Sequence, residues 1–400
     1  MSNSLTASFE EIWAREQQEV FYKTNVWVKI ADMSFNSTMR SGDTLNRTYR
    51  SSTNVQTYVR GTDITIDDIT DTNEQLVVNK QYATGFYIDD FDAIQNKYDA
   101  ALSYGKDNGI YLSNQVDADI LGEVFNATST VDDGSIGGTS GNGIALATTN
   151  VLKVFGAAKK KLRFQNVPLD SAYGVITPEF EDILVQYGIG RDTTMGDGVF
   201  TNGYIGKANG FELYVSNNTA GSAVLSLATQ PTANDTVVIE GVTFTFVSPI
   251  GTAAGNVLIG ANVDATRVNL TALINTPTTT SATQVALSTA NARKFAANVT
   301  AVDSPSGDTM TVKYKGVGTL TVSETLTDGT DTWTATKTKQ HCLFGIKGNP
   351  VCVMQRTPSV VLKDEPKKLG KNSLNGVLYG VKTFADNAKQ MVNVEIKVSE

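Results

Sequence analysis

One run of residues restricts the architecture more than any other. Between Asp92 and Phe125, the residues Ile94, Tyr98, Leu102, Gly105, Gly109, Leu112, Val116, Ile120 and Val124 recur every three or four positions. That is the spacing of one face of an α-helix. Asp92 is placed to cap it, with Gln95 completing a capping box. Two glycines lie on the apolar face, and each lowers helix stability by about 1 kcal/mol relative to alanine. The register passes through both, which predicts one continuous helix with bare backbone where another segment approaches. At 1.5 Å per residue it would be about 50 Å long, a spine rather than a packing element of a small domain.

Upstream of the spine the pattern changes twice. Ser8 followed by Glu11 forms a capping box for a short amphipathic helix with Phe9, Ile12, Trp13 and Val20 on one face. From Arg40 to Ile88 the period becomes two: Val55, Thr57 and Val59, then Ile64 and Ile66, then Leu76 and Val78 alternate with polar residues. These predict long strands turning at Gly42-Asp43 and Gly61-Thr62, with a tip poor in large apolar residues. An isolated two-stranded ribbon is marginal in water, so this one is expected to lean on another subunit.

After the spine, 126–147 is rich in glycine, serine and threonine and reads as a mobile loop. No Gly-Lys-Ser/Thr ending follows its glycines, as a phosphate cradle would require. A helix is expected from about Thr149 to Leu162, a break at Asn166-Val167-Pro168, and a strand at Tyr173–Ile176. Another helix opens at Thr177-Pro178 with proline in its first turn, and a strand follows at Phe211–Val215. Between Ala220 and Thr336 there are 25 threonines and only 13 charged residues. This compositional shift marks an inserted β-rich module. It holds a hairpin over Thr236–Val247 turning at Glu240-Gly241, a short helix capped by Asp264, and strands near Met310–Tyr314 and Leu320–Val322. The host resumes near Lys337 with strands at Pro350–Met354, Val377–Phe384 and Val392–Val398.

Composition excludes several kinds of chemistry. The 400 residues hold two cysteines, Cys342 and Cys352, and one histidine, His341. A disulfide scaffold is therefore excluded. His341 and Cys342 are strand neighbours that point to opposite faces, so they do not form a nucleophile–base pair. A metal site built from His341, Cys342 and Cys352 lacks the close ligand pairs that zinc usually shows. Asp67-Asp68, Asp89-Asp90 and Asp132-Asp133 sit where aspartate bonds its own backbone at turns and helix starts. No enzyme, metal or cofactor is expected. The formal charge of −8 makes the chain a poor candidate for gripping nucleic acid through phosphate neutralisation, which needs a clustered Lys/Arg face. Charges inside the first apolar stretch argue against a signal peptide, and no run of about 20 apolar residues suggests a membrane span.

The charges are unevenly placed. Between Arg40 and Thr62 stand Arg40, Arg47, Arg50 and Arg60 against Asp43 alone, whereas the spine carries six acids against Lys97 and Lys106. Arg47, Arg50 and Arg60 on one subunit would then meet Asp117, Asp119 and Glu123 on the next, setting docking register. Phe9 and Trp13 would supply a further contact between subunits.

In this order, the N-terminal helix, the two-stranded extension, the spine helix, the segment with Asn166-Val-Pro168 and Val175-Ile-Thr-Pro178, and the returning strands resemble the major capsid proteins of tailed bacteriophages, the HK-ninety-seven-type fold. The resemblance covers about 1–216 and 337–400, and the stretch Asn234–Phe246 is similar to small β-rich modules of phage virion proteins. It implies an α+β fold with an N-terminal arm and helix (1–39), an extended loop (40–90), and a spine helix with its following loop in a peripheral domain (91–146). An axial domain (147–218 and 337–356), an inserted domain (219–336) and C-terminal peripheral strands (357–400) would complete it. It further implies a non-enzymatic shell of hexamers and pentamers around non-specifically packaged double-stranded DNA, assembled in the host cytoplasm. Scaffolding, portal and decoration proteins would be the partners. Some members of that family cross-link through a lysine of the extended loop, but no lysine lies between Lys29 and Lys80 here. The alternatives are an encapsulin-like compartment for cargo enzymes and a carbohydrate-binding surface protein.

Overall fold

A computed structural model describes residues 26–50, 53–89, 100–189, 206–357, 361–364 and 368–398. The helix expected around Phe9 and Trp13, and the Asp92 cap of the spine, lie outside them. The chain divides into two units, one of 1–24, 31–112 and 350–388, the other of 25–30, 113–349 and 389–400. The helix Ala100–Leu121 is continuous through Gly105 and Gly109, as the register predicts, and tightens into a 3-10 turn at Gly122–Asn126.

In the first unit, β1 (Thr44–Arg50) pairs antiparallel with β2 (Asp71–Val77), from Thr44 opposite Val77 to Arg50 opposite Asp71. The next strand, β3 (Lys80–Asp89), leaves this ribbon and pairs with another sheet, so the ribbon is shorter than its period-two pattern predicts. That sheet centres on the thirteen-residue β18 (Gly370–Lys382). One edge of β18 takes β3; the other takes β16 (Val351–Arg356) and β17 (Val361–Asp364). A small core of Met39, Leu76, Val78, Val351, Val353 and Phe384 anchors the base of the ribbon. Contact there is close enough to require glycine: a Cβ on Gly380 would sit 2.6 Å from the Val77 carbonyl oxygen.

In the second unit, a nine-stranded sheet surrounds β15 (Lys339–Ile346). One edge of β15 pairs with β19 (Met391–Lys397), which also carries the short parallel strand β4 (Ser129–Val131). The other edge is shared end to end by β8 (Ala220–Ser226) and β5 (Ala172–Ile176). Beyond β5 lie β7 (Phe211–Val215) and β6 (Lys207–Ala208); beyond β8 lie β13 (Thr309–Tyr314) and β12 (Val299–Ser304). Both faces of the centre are buried, so β5 is apolar throughout instead of alternating, and β15 is buried almost end to end even at Lys339, Gln340 and His341. On one face the helices Val151–Phe164 and Pro178–Ile189 pack through Phe155, whose ring meets Phe180 and Phe344 edge-on at 5.4 and 5.6 Å. A Cβ on Gly174 would lie 2.6 Å from the Phe344 ring, so glycine makes room for it. A second cluster joins Ile30, Leu121, Val124, Tyr173, Val175, Leu343 and Met391.

Residues 223–333 enclose a hydrophobic core of their own, including Phe244, Phe246, Leu270, Phe295, Met310 and Trp333. A second sheet here runs β11 (Asn256–Leu258), β10 (Val242–Val247), β9 (Thr236–Ile239), β14 (Val322–Thr325). The turn between β9 and β10 has both Glu240 and Gly241 left-handed, the type I′ geometry that suits strand twist. It falls where the sequence predicts it.

Four expectations need correction. The stretch 126–147 is built rather than loose: β4 pairs with β19, and Asp132 accepts hydrogen bonds from the backbone of Ser135 and Gly141. The cap of the helix Val263–Asn275 is Asn262, which accepts from Ala265 N; Asp264 instead meets Arg267. The strand expected at Leu320–Val322 begins only at Val322. Residues 53–70 form no ladder. There the side chain of Gln56 spans the gap, donating to Thr65 O at 2.6 Å and accepting from Thr65 N at 3.2 Å. Asp67 accepts from Asn54 N at 2.8 Å. Side chains that satisfy the backbone compete with strand pairing.

Candidate assembly interface

The candidate interface begins at this tip. Gly61 turns the chain in a left-handed conformation, and Thr62 bonds back to Val59 O through both its amide and its hydroxyl. Contrary to the expectation of a tip with little to bury, Val55, Tyr58, Val59, Ile64, Ile66 and Ile69 are all largely exposed, Val55 and Ile66 at 101% and 89%. Isolated exposed apolar residues are ordinary; a group of this size on one segment marks an interaction surface. The period-two pattern carried the signal, but it reads as strand alternation until the structure places both halves of the pattern in solvent.

The arginines are only partly available. Arg47 stands opposite Glu74 across the ribbon, approaches Asp386 at 3.5 Å, and lies 5.0 Å over the Phe384 ring. Its side chain is thus half engaged within its own unit. Arg50 closes the β1 ladder opposite Asp71, and Arg60 is exposed beside the Gly61 turn. Phe9 and Trp13 lie outside the described residues.

The acidic side of the expected pairing is not a surface. Asp117, Asp119 and Glu123 are buried within their own unit, which corrects the expectation that they receive a neighbour's arginines. Asp117 accepts hydrogen bonds from Trp27 N at 2.9 Å, Asn218 Nδ2 at 3.3 Å and Ser216 Oγ at 3.4 Å. Glu123 accepts from Asn126 Nδ2 at 2.7 Å. The partners of Asp117 come from chain positions far from the helix, so its role was invisible to a reading of helix charge.

Burial pushes the Asp117 carboxyl up from 3.8 to about 6, although its donors oppose the change. The stability it contributes is therefore complete below about pH 4 and lost as the pH rises through about 6. His341 behaves oppositely. Its Nδ1–H donates to Asn393 Oδ1 (2.9 Å) and its Nε2 accepts from the Ser222 hydroxyl (2.8 Å). Burial holds its pKa near 4, so its contribution is present above about 6.5 and lost as pH falls through about 4. Between those limits the two largely offset. Asp117→Asn is expected to raise stability at pH 7.5 by up to about 3 kcal/mol, since each tenfold change in proton affinity on folding corresponds to about 1.4 kcal/mol. At pH 4 the variant should match the parent, leaving a single acid-labile limb from His341. Urea unfolding at several pH values measures both effects. The Cys342 thiol is pushed up to about 12 by burial, so it is unreactive at neutral pH.

No family model and no curated protein sequence matches this chain. Solved structures do. A structure from Mycobacterium phage Che8 matches with a TM-score of 0.54 at 13% identity, over 92% of this chain and 90% of that one. The capsid structure of cyanophage P-SCSP1u matches with a TM-score of 0.50 at 11% identity, over 93% and 87%. The chain has the tailed-phage coat-protein fold that the order of its elements resembles.

Proposed function

We propose that this chain is a structural major capsid protein that assembles into hexamers and pentamers of an icosahedral shell enclosing phage DNA. One observation carries the reading: six large apolar side chains on a braced tip are largely exposed and find no core among the described residues. Such a segment is stabilised by burial against a second copy, at about 1.5 kcal/mol or more for each side chain fully covered. Phe9, Trp13, Arg47, Arg50 and Arg60 are the accompanying contacts between copies in this reading. Residues 219–336 are an inserted domain, which their self-contained core supports, set within the axial domain (147–218 and 337–356). The arm (1–39), extended loop (40–90) and peripheral segments (91–146 and 357–400) complete the subunit. The place of the chain is the virion capsid, reached by assembly in the host cytoplasm with scaffolding, portal and decoration proteins as partners.

Negative-stain electron microscopy and sedimentation of the expressed chain test this. Closed shells or six-membered rings are expected. Lone monomers at every concentration, with and without a scaffolding protein, would overturn it. DNA rather than an enzyme inside the shells separates a virion from an encapsulin-like compartment.

A further inference from the structure

The helix Val151–Phe164 differs in charge from the acidic chain around it. It carries Lys153, Lys159, Lys160, Lys161 and Arg163 and no acid. Its buried side is Val151, Val154, Phe155, Ala158 and Leu162. Opposite them, on the face away from the core, lie Lys153, Gly156, Lys160, Arg163 and Phe164, all exposed. Lys159 is engaged, donating to Asn209 O at 3.2 Å, while Lys160 lies 5.5 Å over the Phe164 ring. Among the described residues, none of Lys153, Lys160 and Arg163 forms an ion pair.

Helix stability does not account for this face. Cations near the C-terminal end complement the helix dipole, but Lys153 sits in the first turn, where a cation is unfavourable. Gly156 is the second anomaly. It lies mid-helix, where glycine is the poorest former after proline, and a Cβ there would meet nothing within 4 Å. Nothing among the described residues calls for a glycine at that point. Bare backbone between Lys153 and Lys160, about 10 Å apart along the helix, leaves room for a body approaching from outside.

We propose that this face binds the phosphate backbone of double-stranded DNA without reading its sequence. Evenly spaced phosphates are neutralised by flexible lysines around a cleared centre, whereas interfaces between proteins are depleted in lysine at their cores. The assignment rests on the shell reading for the source of the polyanion, and it makes this helix the place where the coat meets its cargo.

The test uses the unassembled full-length subunit and a fluorescent duplex of about 30 base pairs, with binding followed by anisotropy across a salt series. Three phosphate contacts predict a slope of log K against log salt of about −3. The triple variant Lys153→Gln, Lys160→Gln, Arg163→Gln is expected to flatten the slope and to weaken low-salt binding at least about tenfold. Gly156→Gln is expected to raise the melting temperature while weakening DNA binding, a divergence that a purely structural role would not produce. Unchanged binding in the triple variant would overturn the proposal. So would wild-type protein that binds polyglutamate in preference to DNA, which would assign the face to an acidic protein segment. Shell formation is scored separately by microscopy of the same preparations, so shells without DNA affinity would refute this inference and leave the shell reading standing.

Discussion

With Val55, Ile64, Ile66 and Ile69 replaced by serine, the chain is expected to fold normally and to remain unassembled. All four side chains are largely exposed in the subunit, and none belongs to its hydrophobic clusters. Removing them therefore takes nothing from folding, and the melting temperature should move by no more than a surface change allows, within about 0.5 kcal/mol. Association is another matter. If each side chain is buried by a neighbouring copy at about 1.5 kcal/mol, four of them supply about 6 kcal/mol per contact. That corresponds to about a ten-thousandfold change in the association constant. Sedimentation velocity should show monomers or single capsomers at concentrations where the parent forms shells. Gln56 and Asp67 give a second handle, since they brace the tip through hydrogen bonds to its backbone. Gln56→Ala should reduce assembly less, by loosening the segment. Shells formed by the fourfold serine variant at the parent's concentration would show that the apolar tip is not the contact that holds them.

The second large effect is expected at Arg267, inside the segment 223–333. Its side chain is fully buried, with Nε donating to Asp303 Oδ1 at 2.9 Å and Nη1 donating to Leu227 O at 2.8 Å. Nη1 also approaches Asp308 at 3.4 Å, and Nη2 bonds Asp264 from the same helix. The guanidinium thus ties the helix Val263–Asn275 to the end of β8 and to the β12–β13 connection. Arg267→Met removes the cation and leaves Asp303, only 12% exposed, without its partner. Breaking a buried pair in this way costs about 3–5 kcal/mol. Because residues 223–333 have a core separate from that of Phe155 and Phe344, the loss should be local. Hydrogen exchange is expected to accelerate in β9, β10, β12 and β13 while β5 and the helix Val151–Phe164 stay protected. Arg267→Met with Asp303→Asn should recover part of the loss, because the unpaired charge is then gone. Uniform acceleration across the whole second unit would refute the independence of the two cores.

These expectations depend on elements that differed in how plainly the sequence announced them. The long helix was legible because its apolar register continues through two glycines, and the hairpin at Glu240-Gly241 because its turn residues tolerate left-handed backbone. Central strands such as Ala172–Ile176 were legible as short apolar runs. By contrast, β8 (Ala-Gly-Ser-Ala-Val-Leu-Ser) is mostly small residues with little β signature, and in β12 (Val-Thr-Ala-Val-Asp-Ser) the β-branched run is short and ends in the turn-favouring Asp-Ser. They are strands because neighbouring strands supply their partners. The helix Thr289–Asn298 buries only Ala292 and Phe295, too few positions to define a period. The acidic residues misled for a related reason. Asp117 looks like a solvated helix charge until Trp27, Ser216 and Asn218 arrive from elsewhere in the chain. At the candidate interface, the arginines of the ribbon were visible as composition and the apolar tip only as alternation. What distinguished a strand from an unpartnered surface was the absence of a ladder, and no local pattern encodes that.

The position of β15 between β19 and the end-to-end pair β8 and β5 has a consequence for how the chain is made. Ser222 pairs with Lys339 across the whole intervening segment, and Leu343 pairs with both Val175 and Asn393. No residue of β15 exists until residues 223–333 have been synthesised, so that module, which encloses its own hydrophobic core, can begin to condense first. The host sheet closes afterwards, around a strand that arrives late and must capture three earlier or later ones. Long-range closure of this kind is slow. The half-built sheet, with the hydrophobic faces of Phe155 and Phe180 still waiting for Phe344, is therefore the nascent species most in need of a chaperone's shelter.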